Sequence, residues 1–225
     1  MKVVAIKNVH KTYRKAEVKV HAVRGIDLTF EEGEFAAIVG PSGSGKTTLL
    51  NMIGALDAPT EGEIFVNSTN VGKLKSSEKI DFRLWNIGFV FQSYNLIPVL
   101  TAKENVEFVM HLQGQPKVKR EKRAKDLLEA VGLADRMNAR ISQLSGGQQQ
   151  RVAFARALAP KPKFILADEP TANLDSKSTS TLLDIMERLN EEEKITFIFS
   201  THYQRVVKKA HRVITIEDGK VASDE

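Results

Sequence analysis

Gly40-Pro41-Ser42-Gly43-Ser44-Gly45-Lys46-Thr47 satisfies the pattern G-x-x-x-x-G-K-[ST] at every fixed position. Upstream, Phe35-Ala36-Ala37-Ile38-Val39 is an apolar run of the length of a buried parallel strand. Downstream, Leu49, Leu50, Ile53 and Leu56 recur at helical spacing. Strand, loop and helix in this order separate a phosphate cradle from a glycine-rich turn that binds nothing. Glycines let consecutive backbone N–H groups turn inward around a polyphosphate, and the helix that follows points its positive end at the same place. Lys46 is placed to reach the terminal phosphates, and the Thr47 hydroxyl to ligate the Mg²⁺ that accompanies them.

The chain has 225 residues, 42% hydrophobic and 27% charged, which suits one α/β domain with a single core. It has no cysteine, so disulfides, thiolate catalysis and cysteine-ligated zinc are excluded, and oxygen ligands are expected for any metal. No apolar stretch approaches the roughly 18 residues needed to cross a bilayer, and Met1-Lys2-Val3 runs straight into strand-like sequence without a signal-peptide profile. The expectation is a cytoplasmic protein that forms no membrane pathway itself. The net charge of +5 is spread along the chain and names no partner.

Val3-Val4-Ala5-Ile6 reads as a first strand, and Ile26, Leu28 and Phe30, alternating with polar residues, as a second. Tyr13 falls between them and reads as half-buried packing. After a turn at 57–62, Glu63-Ile64-Phe65-Val66 is a strand and residues 67–80 read as polar connection. Ile87-Gly88-Phe89-Val90-Phe91 is strand-like and ends at Gln92. Tyr94, Leu96, Ile97, Val99 and Leu100 are unusually apolar for a loop broken by Pro98, and are either tucked under a helix or offered to a partner. Residues 101–133 read as helical. Their basic run Lys117-Val118-Lys119-Arg120-Glu121-Lys122-Arg123 continues into an apolar stripe of Ala124, Leu127, Leu128 and Val131, so it reads as a solvated helix face and no nucleic acid is expected.

Leu144-Ser145-Gly146-Gly147-Gln148 opens a helix carrying Val152, Phe154, Ala155 and Leu158. Its paired glycines can expose N–H groups to a second phosphate, or Ser145 can simply cap the helix, and both can hold at once. Phe164-Ile165-Leu166-Ala167 ends in Asp168-Glu169-Pro170, where Asp168 is placed to bind Mg²⁺ and Glu169 to polarise the attacking water. A helix with Leu182, Leu183, Ile185, Met186 and Leu189 follows Asp175. Ile195-Thr196-Phe197-Ile198-Phe199 then ends in Ser200-Thr201-His202, at the edge where open α/β sheets bind ligands. Asp218-Gly219 after Val213-Ile214-Thr215-Ile216 is a hairpin signal.

With the phosphate loop, the Leu144-to-Gln148 string and the Asp168-Glu169 strand in this order, the chain resembles the ATP-binding-cassette (ABC) ATPases over its whole length. The resemblance implies a RecA-like P-loop NTPase core with an antiparallel β subdomain, at about 1–92 and 160–225, and a helical subdomain at about 93–159 carrying the signature. It implies ATP and Mg²⁺ as cofactors. It assigns the nucleotide to Gly40, Pro41, Ser42, Gly43, Ser44, Gly45, Lys46, Thr47 and Thr48, with Tyr13 stacked on adenine, and the metal to Thr47, Gln92 and Asp168. Glu169 would be the catalytic base, Gln92 would reach metal and water, and His202 would contact the γ-phosphate. Asp175 would belong to the loop joining two active sites, and Ser145, Gly146, Gly147 and Gln148 would close over nucleotide on the opposite subunit. Two half-sites per chain suit a two-fold dimer, with itself or with a paired ATPase.

Gly88-Phe89-Val90-Phe91-Gln92-Ser93-Tyr94-Asn95-Leu96-Ile97-Pro98, Leu100-Thr101-Ala102 and Glu104-Asn105-Val106 are similar to the lipoprotein-release and macrolide-export ATPases. That implies a transmembrane permease docked near residues 94–100 and a location on the inner face of the membrane through that subunit. The alternatives are a regulatory or mechanical ATPase of the cell-division type, and a DNA-repair ATPase, whose long coiled-coil insertion this chain lacks. Two departures stand out: Tyr203 follows His202 where the family usually has Asp, and Ile141 stands where a Pro commonly precedes the signature.

Overall fold

A computed structural model of the protein describes residues 1–15 and 18–225. In chain order the elements are β1 (Lys2–Lys15), β2 (Val18–Glu31), β3 (Phe35–Val39), α1 (Lys46–Ile53), β4 (Glu61–Val66), β5 (Thr69–Asn70), α2 (Ser76–Asn86) and β6 (Ile87–Val90). There follow α3 (Ala102–Leu112), α4 (Lys117–Ala130), α5 (Gly146–Leu158), β7 (Phe164–Asp168), α6 (Ser176–Glu193), β8 (Thr196–Ser200), α7 (Gln204–Val207), β9 (Arg212–Glu217) and β10 (Lys220–Asp224).

A six-stranded sheet runs β10-β9-β3-β8-β7-β6, and a four-stranded sheet runs β2-β1-β4-β5. In the larger sheet β3 lies parallel to β8 and β9, and β7 parallel to β6 and β8. The smaller sheet is antiparallel throughout. The burial patterns explain the division. All five residues of β8 are buried, as a strand covered on both faces requires, whereas β2 alternates buried Ile26, Leu28 and Phe30 with exposed Asp27 and partly exposed Thr29.

Successive side chains of a strand point to opposite faces, and β3 shows what that does here. Phe35 and Ala37 enter the core beneath α3, α4, α5 and α6, while Ala36 and Ile38 enter a second core shared with α1 and the antiparallel sheet. Phe35 meets Phe197 and Phe199 of β8 at ring-centroid distances of 5.5 and 5.1 Å. The parallel sheet is therefore gripped from both sides, and the C-terminal ends of β3, β7 and β8 are held in register along one edge.

The structure corrects several local expectations. Residues 67–80 are not mere connection: they contain β5, a 3₁₀ turn at Val71–Lys73 and the start of α2. No residue of α2 is fully buried, its apolar Ile80, Phe82, Leu84 and Trp85 being exposed or half-buried, and its start is set by Lys75 N–H donating to Glu78 Oε2 at 2.7 Å. The helical stretch 101–133 is two helices, broken where Gly114 adopts φ 73° and Pro116 precedes α4. Tyr13 lies within β1 rather than between strands, because β1 and β2 pair along 14 residues each. Leu56 falls beyond the end of α1 and is exposed.

Candidate active site

The loop between β3 and α1 is pressed from behind by backbone. A Cβ on Gly40 (φ 145°) would stand 2.1 Å from the Ile216 carbonyl oxygen, and one on Gly45 (φ 106°) 2.3 Å from that of Ala22. Glycine is required at both positions by close approach and by backbone angle. The β9–β10 turn supports the loop directly: Gly219 N–H donates to Ser44 O at 3.0 Å, and Arg24 N–H to Gly219 O at 2.8 Å. The Asp218-Gly219 hairpin is thus part of the floor of the phosphate loop. Lys46 is buried, and its ammonium donates to the carbonyls of Gly40 (2.8 Å) and Pro41 (3.0 Å).

A cavity of about 480 Å³ opens over this loop. Ser42, Gly43, Gly45, Lys46, Thr47 and Thr48 line one side, and Gln92, Glu169 and His202 the other. The carboxylates arrive from β7. Asp168 Oδ1 accepts from Thr47 Oγ1 at 3.1 Å and from Ser200 Oγ at 2.6 Å. Glu169 takes a left-handed φ of 48°, which costs a non-glycine residue about 1 kcal/mol. That conformation is held by its N–H donating to Ser200 Oγ at 3.0 Å and Ser200 O at 3.2 Å. It turns the carboxylate so that Oε1 lies 2.8 Å from His202 Nδ1, and Oε2 is buried without a hydrogen-bond partner among the described residues. Gln92 is anchored through its carbonyl, which accepts from Asn173 Nδ2 at 3.0 Å.

Ser200 is the residue sequence reasoning missed as functional. It organises both carboxylates from the end of the neighbouring strand, opposite Asp168 in the β7–β8 register. Only the parallel pairing reveals this, although a hydroxyl at the end of an apolar strand beside a histidine was a readable signal.

Among the described residues there is no cluster of three or more His, Cys, Asp or Glu side chains able to hold a metal. The oxygen set of Thr47, Asp168 and Gln92 instead fits Mg²⁺, which keeps waters and phosphate oxygens and needs few protein ligands.

Tyr13 does not line this cavity. It is 41% exposed, donates to Asp57 Oδ2 at 2.7 Å, and has the Lys11 ammonium 4.9 Å from its ring centroid. Burial, reinforced by the bond to Asp57, raises the phenol's pKa. Burial pushes the Asp57 carboxyl up, but bonds from Lys11, Tyr13 and the Ala58 N–H outweigh it and bring the carboxyl below its ordinary range.

Ser145, Gly146, Gly147, Gln148 and Asp175 also lie outside the cavity. They form a second patch of their own. Ser145 Oγ accepts from Gln148 N–H at 3.3 Å while Gln148 Oε1 accepts from Ser145 N–H at 2.9 Å, a reciprocal cap on α5. Asp175 caps α6, accepting from the N–H groups of Lys177 (2.9 Å) and Ser178 (3.0 Å) and the Ser178 hydroxyl (2.8 Å). The bonds from Ser178 lead in holding its carboxyl below the usual range. The two helix starts adjoin, since a Cβ on Gly147 would stand 2.5 Å from Ser178 Oγ.

A third feature is an apolar groove of about 610 Å³, whose walls include Ile80, Leu84, Phe91, Ile97, Phe108 and Leu112. Arg156 of α5 lines it and donates to the carbonyls of Tyr94 (2.8 Å) and Asn95, both of which have positive φ. Burial pushes the pKa of that guanidinium down. The apolar stretch at 94–100 therefore divides. Leu96 packs on the core, Ile97 lines the groove, and Val99 is 72% exposed.

Residues 23–172 match the ABC transporter family. The lipoprotein-releasing system ATP-binding protein LolD 1 of Rhodopseudomonas palustris is 45% identical, with 98% of each chain covered. The macrolide export ATP-binding/permease protein MacB of Brucella melitensis is 45% identical over 98% of this chain, which spans 34% of MacB. Among solved structures, the dimeric post-hydrolysis state of the ATP-binding cassette MJ0796 of Methanocaldococcus jannaschii, bound to ADP and Pi, superposes with a TM-score of 0.92 at 45% identity. That likeness covers 99% of this chain and 97% of the other.

Proposed function

The chain belongs to the ABC transporter family, and from that premise we propose that it hydrolyses ATP as a dimer to drive export through a separate membrane subunit. The observation that carries the reading is the convergence of Lys46, Thr47, Glu169 and His202 on one cavity, with Asp168 joined to it through the Thr47 hydroxyl and the signature residues gathered on a different patch of the same chain. Each chain supplies one phosphate loop and one signature helix, so two chains related by a two-fold axis complete two sites.

Catalysis in such a site is chiefly positioning and charge stabilisation. Lys46, held on two loop carbonyls, exchanges them for terminal phosphate oxygens. Glu169 accepts a proton from, or orients, the attacking water through the carboxylate that Ser200 and His202 aim. With His202 Nδ1 occupied by Glu169, Nε2 is the nitrogen left for the γ-phosphate. Thr47, Asp168 and Gln92 would hold Mg²⁺, which would supply charge neutralisation to the phosphates. Tyr13 is assigned to the adenine end, next to Thr48.

No helix among the described residues is long and apolar enough to cross a membrane. We place the permease in the apolar groove, where a short amphipathic helix would lay its apolar side against Ile97, Phe108 and Leu112. The cassette would then sit on the cytoplasmic face of the membrane. The names of LolD, of a lipoprotein-releasing system, and of MacB, of macrolide export, support transport over a purely regulatory ATPase.

The test is ATP binding and turnover by Glu169→Gln. Binding stays at the wild-type level while turnover falls about a hundredfold or more, the scale of a lost general base. Near-normal turnover removes Glu169 from the mechanism.

A further inference from the structure

We propose that Tyr203 is a positioning residue for His202, holding the plane of the imidazole through a ring-on-ring contact. The inference rests on His202 acting on the γ-phosphate. The two ring centroids lie 4.1 Å apart at an interplanar angle of 34°. Consecutive side chains seldom face one another, and the backbone here is folded to make them do so. Thr201 N–H is tied to Ile38 O at 3.1 Å, and Thr201 Oγ1 accepts from Tyr203 N–H at 3.1 Å. The Tyr203 carbonyl then accepts from the N–H groups of Val206 (2.9 Å) and Val207 (3.1 Å), and Val206 is fully buried. The phenol ring is therefore mounted on anchored backbone.

The imidazole needs a second contact. Its side chain is 55% exposed, and the hydrogen bond from Nδ1 to Glu169 Oε1 restrains one edge of the ring while leaving its faces to other contacts. The tyrosine ring supplies a contact on the face. Its hydroxyl also comes within 3.5 Å of Ala172 O, so the phenol stands between the histidine and the segment that runs from Glu169 to Asp175. The Asp usual in the family at this position has no ring to offer. In this chain the second contact on the histidine is aromatic.

The experiment measures kcat and KM for ATP hydrolysis in the wild type, Tyr203→Ala, Tyr203→Phe, His202→Ala and the double variant His202→Ala/Tyr203→Ala. Tyr203→Ala lowers kcat about three- to tenfold, the scale of one aromatic contact. KM moves by less than about twofold, and Tyr203→Phe keeps kcat within about twofold of wild type. In the His202→Ala background, Tyr203→Ala adds no further loss, because the group it positions is gone. The proposal is overturned if Tyr203→Ala keeps wild-type kcat while His202→Ala loses it, if the two losses multiply in the double variant, or if Tyr203→Phe is as impaired as Tyr203→Ala. Wild-type kcat in His202→Ala is a separate failure: it removes the role of His202, and that of Tyr203 with it.

Discussion

The phosphate-loop cavity and the patch around Ser145 and Asp175 are both built at helix starts, yet they treat their polar groups in opposite ways. In the cavity, Glu169 Oε2 has no partner among the described residues, and the Lys46 ammonium rests on backbone carbonyls. These groups are shaped for something that enters. In the patch, Ser145 and Gln148 satisfy each other, and Asp175 takes three donors from its own helix. Those groups are already at rest. On the proposed reading the first region is a site in one chain, and the second is a pre-capped surface that another chain's nucleotide would complete.

This comparison can be broken from either side. The larger effect falls on the cavity: Lys46→Ala weakens ATP binding about tenfold to a hundredfold, the scale of a lost charge-assisted hydrogen bond, read by titration calorimetry. Unchanged affinity would mean that Lys46 stays on its loop carbonyls and the cavity is not the nucleotide site. The smaller effect falls on the patch. Ser145→Ala removes a helix cap worth about 1 kcal/mol and slows turnover, while ATP affinity of the single chain stays within about twofold of wild type. Loss of single-chain affinity in Ser145→Ala would merge the two regions that the structure keeps apart.

Much of this division was legible in the sequence, for a physical reason. Strands buried on both faces read as unbroken apolar runs, so Phe35-to-Val39 and Phe164-to-Ala167 announced themselves, and the chemistry at their ends followed. The reciprocal cap at Ser145 and Gln148 was equally local. What failed was whatever local pattern does not carry. α2 buries no residue fully, and its apolar Ile80 and Leu84 face the groove instead of a core. The break at Gly114 and Pro116 was visible but was overridden by the apolar stripe that follows it. Ser200 acquires its role only from the register of two parallel strands, and the adjacency of Ser178 to Gly147 only from the packing of α6 on α5. Tyr203 stands out in the sequence as a departure from the family, but its contact with His202 arises only from the folded backbone.

The most direct test of the two-chain site is the solution mass of Glu169→Gln by light scattering, with and without Mg-ATP. Blocking hydrolysis holds nucleotide in place, so mass should double when Mg-ATP is added and stay that of a single chain without it. A persistent monomer, with nucleotide binding confirmed by calorimetry, would contradict the account: the patch around Ser145 and Asp175 would then not close over a neighbour's nucleotide by itself.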